Sequence, residues 1–131
     1  MPSFHTNTAL DQLSRTSMFI ATIVVSALLA ALLVFSAVGK LRNDPAQLKV
    51  MQTVGFPVDK LWLLATAEIA GAVGLLIGLF WWPLGVAAAI GVILYFIGAV
   101  GSHLRVRDPA TNAAIPLVLA IAALTLRLAT T

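Results

Sequence analysis

The chain has 131 residues, of which 60% are hydrophobic and 10% charged, with a formal net charge of +3 and a mean hydropathy of +1.01. Soluble domains are nearer half apolar and about a quarter charged, so these values indicate an integral membrane protein with no separate soluble domain of useful size. The lack of cysteine excludes disulfides, thiol chemistry by this chain and cysteine-ligated iron–sulfur clusters, and the basic excess reads as membrane topology with no nucleic-acid partner.

Residues 1–17 interleave Ser, Thr, Asn and Asp and read as a mobile polar tail. The apolar run 18–39 is the first membrane helix, because a hydrocarbon core of about 30 Å takes about 20 helical residues. The run is too long for a signal-peptide core of about 7–15 residues, although FSAVG supplies small residues near its end. The loop 40–60 is the only long connection. Within it Leu48, Met51 and Val54 recur at helical spacing before Gly55 and Pro57. That pattern describes either a short amphipathic helix at the membrane surface or a loop packed on the end of the bundle.

A second apolar helix is expected over 61–80 and a third over 84–103. WWPL joins them, with Trp81 and Trp82 suited to an aromatic belt and Pro83 marking the turn. So short a link makes the two helices antiparallel neighbours. The fourth helix is expected over 113–129. Pro116 falls in its first turn, where the missing N–H costs little, and Arg127 can snorkel to the far interface. Asp108-Pro109 reads as the turn before it. The fold class is therefore all-α, a transmembrane four-helix bundle occupying 18–129.

Basic residues set the orientation. Lys40, Arg42, Lys49 and Lys60 lie in the first loop, and Arg105 and Arg107 lie in the loop 104–112 on the same face. The opposite face holds Arg15 and Arg127. By the positive-inside rule both termini lie outside and both basic loops are cytoplasmic. On the second helix Ala67, Gly71, Gly74 and Gly78 form a stripe, and on the third so do Gly91, Tyr95, Gly98 and Ser102. Small residues allow close approach in lipid, so the stripes are expected to face each other across the WWP turn. A homo-oligomer seam is the alternative.

Depth counting collects the polar residues. Glu68 lies about 10 Å inward from Leu61, and Tyr95 about 12 Å inward from His103, at 1.5 Å per residue. Lys40 and His103 sit at the rim of the same face, with Ser36 one turn inside Lys40. A carboxylate in hydrocarbon costs at least about 2.5 kcal/mol, so Glu68 should face the bundle or a wet cavity. Two readings stand: a polar pocket of Lys40, Glu68, Tyr95, His103 and Ser36, or an interhelical clamp around Glu68 with Lys40 snorkelling and His103 capping its helix. Arg105 and Asp108 are loop candidates, either at the pocket mouth or in a solvated set with Arg107. No HExxH, Walker or glycine-rich nucleotide pattern occurs, and Glu68 with His103 supplies too few ligands for a metal.

FSAVGKL, GFP, AEIAGAVGLLIGL and GAVGSHLRVRDP, in that order, resemble the DoxX-like family of small four-helix membrane proteins. The resemblance covers most of 35–128 and leaves the N-terminal segment unmatched. It implies that Lys40, Glu68 and His103, followed by Asp108, occupy the family's typical polar positions. It implies a bacterial cytoplasmic membrane protein tied to quinone or sulfur redox complexes as a small subunit. The implied ligand is a quinone, a lipid or another amphiphile. The resemblance equally admits an assembly factor or chaperone for a membrane-protein partner.

Overall fold

The computed structural model describes residues 2–108 and 111–130, and side chains for 8–108 and 113–130. Five α-helices occur among them: α1 Pro2–Leu41, α2 Pro45–Val54, α3 Leu61–Ile77, α4 Trp82–Arg105 and α5 Thr111–Ala129, with a single 3-10 turn, Val58–Lys60, before α3. The protein is all-α. Three helical stretches are long and apolar enough to cross a membrane: Thr8–Leu41, Val58–Ile77 and Trp82–Arg105. The apolar part of α5, Ala113–Ala129, is shorter.

α1 begins at Pro2, so the segment expected as a polar tail is helical wherever it is described. No Gly or Pro interrupts the chain between Pro2 and Gly39. Once the apolar run has nucleated a helix, each further residue adds a hydrogen bond, and Ala9, Leu10, Gln12 and Leu13 are good helix formers. Residues 8–17 are exposed, and the first buried position is Thr22. The start of α1 therefore stands clear of the packed helices.

Local signals place the remaining boundaries. Asn43, at φ 53°, turns the chain out of α1. Asp44 then caps α2 by accepting a 2.9 Å hydrogen bond from the Ala46 N–H, with Pro45 in the first turn. Gly55 ends α2 at φ 78°, a conformation that L side chains resist, while the Phe56 N–H bonds back to the Met51 carbonyl at 2.9 Å. Of the two readings of the first loop, the short helix is the one present, and it buries Met51 and Val54. α3 stops at Ile77, three residues earlier than expected, because the Leu79 and Phe80 N–H groups tighten onto the carbonyls three residues back. α4 starts at Trp82, so Pro83 lies inside its first turn. Pro116 lies deeper inside α5 than expected, since that helix starts at Thr111. The turn anticipated at Asp108-Pro109 lies partly outside the described residues.

Helices α1, α3, α4 and α5 close a ring in which α1 touches α3, α3 touches α4, α4 touches α5 and α5 touches α1. Leu29, Leu33, Ala72, Leu75, Val92 and Phe96 are central to its core, and Ala113, Ala120 and Ala123 bring α5 close. Ile20, Val24, Leu28, Ile77, Leu94 and Ile121 point outward and are exposed. Large apolar side chains on the outside are the signature of a lipid-facing surface.

The α3–α4 crossing uses a different partner stripe from the one expected. Added Cβ atoms at Gly71 and Gly74 would lie 2.9 Å from Val92 Cγ2 and from Ala88 Cβ, and one at Gly78 would overlap the Gly85 backbone. Gly91 and Gly98 instead have open space before them, and Ala67 is exposed. The tight turn explains the register. Gly78 and Gly85 lie equally far on either side of it, so they meet first, and successive pairs follow along an antiparallel crossing.

Candidate functional site

The loop end of the ring holds a cavity of about 540 Å3, roofed by α2 and floored by side chains from α1, α3 and α4. The seven residues singled out from sequence, Ser36, Lys40, Glu68, Tyr95, His103, Arg105 and Asp108, all line it. Helical spacing brings them together. Ser36 and Lys40 are one turn apart on the inner face of α1, Glu68 continues the buried stripe of Leu61 and Ala65 on α3, and Tyr95 and His103 are two turns apart on α4.

At the floor Lys40 Nζ lies 2.9 Å from Glu68 Oε1, with side chains only 6% and 1% exposed. Lys40 Nζ also donates to Ser36 Oγ at 2.7 Å. Lys40 therefore turns inward and does not snorkel. One of its protons is hydrogen-bonded to Ser36, and the carboxylate neutralises the ammonium where water is scarce. Tyr95 stands against Glu68 from α4, its hydroxyl close enough to the carboxylate to be the nearest neutral donor, although the contact falls short of a well-formed hydrogen bond. Apart from the ion pair, neither buried Glu68 oxygen accepts a well-formed hydrogen bond among the described residues. A buried acceptor without a donor costs about 1–3 kcal/mol, more when charged. The floor therefore retains acceptor capacity.

His103 and Asp108 form the second polar pair. His103 Nδ1 lies 2.6 Å from Asp108 Oδ2. Arg107, at φ 58°, turns the chain after α4, and the Asp108 N–H returns to the His103 carbonyl at 2.9 Å. With Nδ1 donating to a carboxylate, the neutral imidazole carries its lone pair on Nε2. The Arg105 guanidinium donates to the Val54 carbonyl at 2.9 Å. It thereby satisfies an orphan carbonyl at the end of α2 and fastens that helix over the cavity. Arg105 belongs with the roof, and Arg107 does not line the cavity. Among the described residues no group of three or more His, Cys, Asp or Glu is arranged to hold a metal.

A model of the DoxX-like family matches residues 24–126. The chain belongs to the DoxX-like family. It is an integral membrane protein, as its three long apolar helices and this membership both require. No curated protein and no solved structure matches it. The family match contains all seven cavity residues singled out from sequence and excludes the first turns of α1, which stand outside the packed ring.

Two features of this DoxX-like protein escaped the sequence reading. Gln47, from the first turns of α2, lines the cavity and places Nε2 3.5 Å from both Oγ and the backbone oxygen of Ser36. Its signal was present, because Gln47 precedes Met51 and Val54 on one helical face. The other is Arg127, expected to snorkel outward but in fact only 8% exposed. Its guanidinium turns into the opposite end of the ring and donates to the Gly78 carbonyl at 3.0 Å, while the Trp82 indole N–H donates to the Arg127 carbonyl at 2.8 Å. The open carbonyls where α3 ends attract a cation, and this attraction keeps Arg127 inside. Trp82 is thus a tie between helices.

Proposed function

We propose that this DoxX-like protein binds the head of an amphiphile, a quinone or a lipid, in the polar cavity beneath α2. The observation that carries the reading is Glu68, buried against Lys40 at the floor of a cavity of about 540 Å3, with a carboxylate oxygen left to accept a donor. Small-molecule sites typically run about 300–1,000 Å3, with few polar groups in a largely apolar lining. Met51, Phe56 and Phe96 supply the apolar contact here. Glu68 would accept a hydrogen bond or proton from the head, and His103 Nε2, backed by Asp108, would supply a second acceptor. Lys40 fixes the position of Glu68. In this reading α5 crosses the membrane as a fourth span, and the cavity opens toward the cytoplasmic face of a bacterial membrane, with both termini outside.

The test is thermal unfolding of purified wild type and Glu68→Gln with a panel of ubiquinone, menaquinone and phospholipids. A ligand at 100 times its Kd stabilises by about 2.7 kcal/mol. One that stabilises wild type and loses its effect in Glu68→Gln supports the cavity. If none stabilises wild type while a membrane protein co-purifies with both forms, the reading fails. That outcome favours a second function, a noncatalytic assembly factor, for which the observation is the open space before Gly91 and Gly101 on α4. Small residues on a lipid-facing helix allow a partner's backbone to approach.

A further inference from the structure

A second concavity lies on the outer side of the ring. It is a groove of about 950 Å3 along α1, flanked by Leu76 of α3. Ala27, Ala30 and Ala31 recess its wall, and Val34 and Val38 continue it toward the loop end. From Ala27 to Arg42 the track is about 22 Å long, at 1.5 Å per residue. Its first polar groups appear only at the loop end, where Arg42, Asp44 and Gln47 line it.

These three groups differ in what they have left to offer. Asp44 is committed to the α2 N-terminus, and Gln47 faces Ser36. Arg42 is exposed, and its guanidinium has no partner among the described residues. The groove is thus an apolar track in a lipid-facing wall, closed at one end by an uncommitted cation. That cation sits just beyond the apolar length of α1, at the level of lipid headgroups. We infer that the groove binds an anionic phospholipid, one acyl chain along the alanine wall and the phosphate on Arg42. A guanidinium matches a phosphate with two parallel hydrogen bonds. The same loop segment carries Lys49 and Lys60, both exposed, which add attraction for an anionic headgroup. A helix from a second copy would use the small residues but not the cation, so dependence on the headgroup separates the two occupants. The groove shares Ala46 and Gln47 with the polar cavity as a common wall, but it opens on the outer side of α1 and contains none of Lys40, Glu68, Tyr95 or His103.

The experiment is native mass spectrometry of the full chain released from micelles containing equal phosphatidylglycerol and phosphatidylcholine of matched acyl chains. Wild type is expected to retain phosphatidylglycerol about fivefold over phosphatidylcholine, the preference one basic residue confers near an anionic headgroup. Arg42→Gln should bring the ratio near one. Ala31→Trp, which fills the track, should lower retention of both lipids, and Val34→Trp serves if that variant fails to fold. Ile121→Trp, on the outer face of α5, should leave the ratio unchanged. Equal retention of the two lipids by wild type overturns the inference, as does a preference that survives Arg42→Gln. A dimer in wild type that Ala31→Trp dissolves also overturns it, because the groove is then a seam between copies.

Discussion

Replacing Lys40 with Met should unfold this protein far more readily than replacing both members of its ion pair. The Lys40–Glu68 contact is 2.9 Å long and nearly devoid of solvent. Two unit charges at that distance attract by about 6 kcal/mol at an effective dielectric constant of 20. Desolvation returns several kcal/mol per ion, so the intact pair contributes little net stability relative to apolar residues of similar size. Lys40→Met removes the attraction and leaves Glu68 desolvated. The expected cost is about 3–5 kcal/mol. Glu68→Leu strands Lys40 with only Ser36, with a similar expectation. The double variant leaves no buried charge and should lie within about 1–2 kcal/mol of wild type. Reversible unfolding of all four proteins in one micelle system measures the cycle. A coupling of at least about 2 kcal/mol is expected. If the single effects add to within about 0.5 kcal/mol, the two charges do not share a dry environment and the description of the cavity floor is wrong.

Gly78→Val should disrupt the α3–α4 crossing, because the new side chain meets the Gly85 backbone and neither helix can yield cheaply; Gly91→Ala, facing open space, should be neutral or stabilising by up to about 1 kcal/mol. Comparable thermal melts for both variants would contradict the register described. Arg105→Ala should release α2 from the loop end by removing its bond to the Val54 carbonyl. Faster hydrogen exchange confined to residues 45–54, with the ring helices unchanged, is the expected signature, and unchanged protection of α2 would remove Arg105 from the roof.

Composition and periodicity alone determined the membrane class, the long helices and the side of the membrane shared by the polar residues. These properties are local or additive: apolar length sets a span, and rise per residue sets depth. The short helix over the cavity was only half legible: Leu48, Met51 and Val54 recur at helical spacing before Gly55 and Pro57, but the same pattern fitted a loop packed on the end of the bundle. Counting depth also gathered Lys40, Glu68, Tyr95 and His103 at one end. It could not say that Lys40 turns inward to Glu68, because a lysine at a helix end finds either water or a buried carboxylate, and only the neighbouring helix decides. The same holds for Arg127, whose inward turn depends on the carbonyls where α3 ends. Glycine positions named the faces able to approach closely, while the turn between α3 and α4 chose Gly85, Ala88 and Val92 over Gly91, Tyr95 and Gly98. Tertiary structure settled orientation, register and pairing, because each depends on where two distant segments meet.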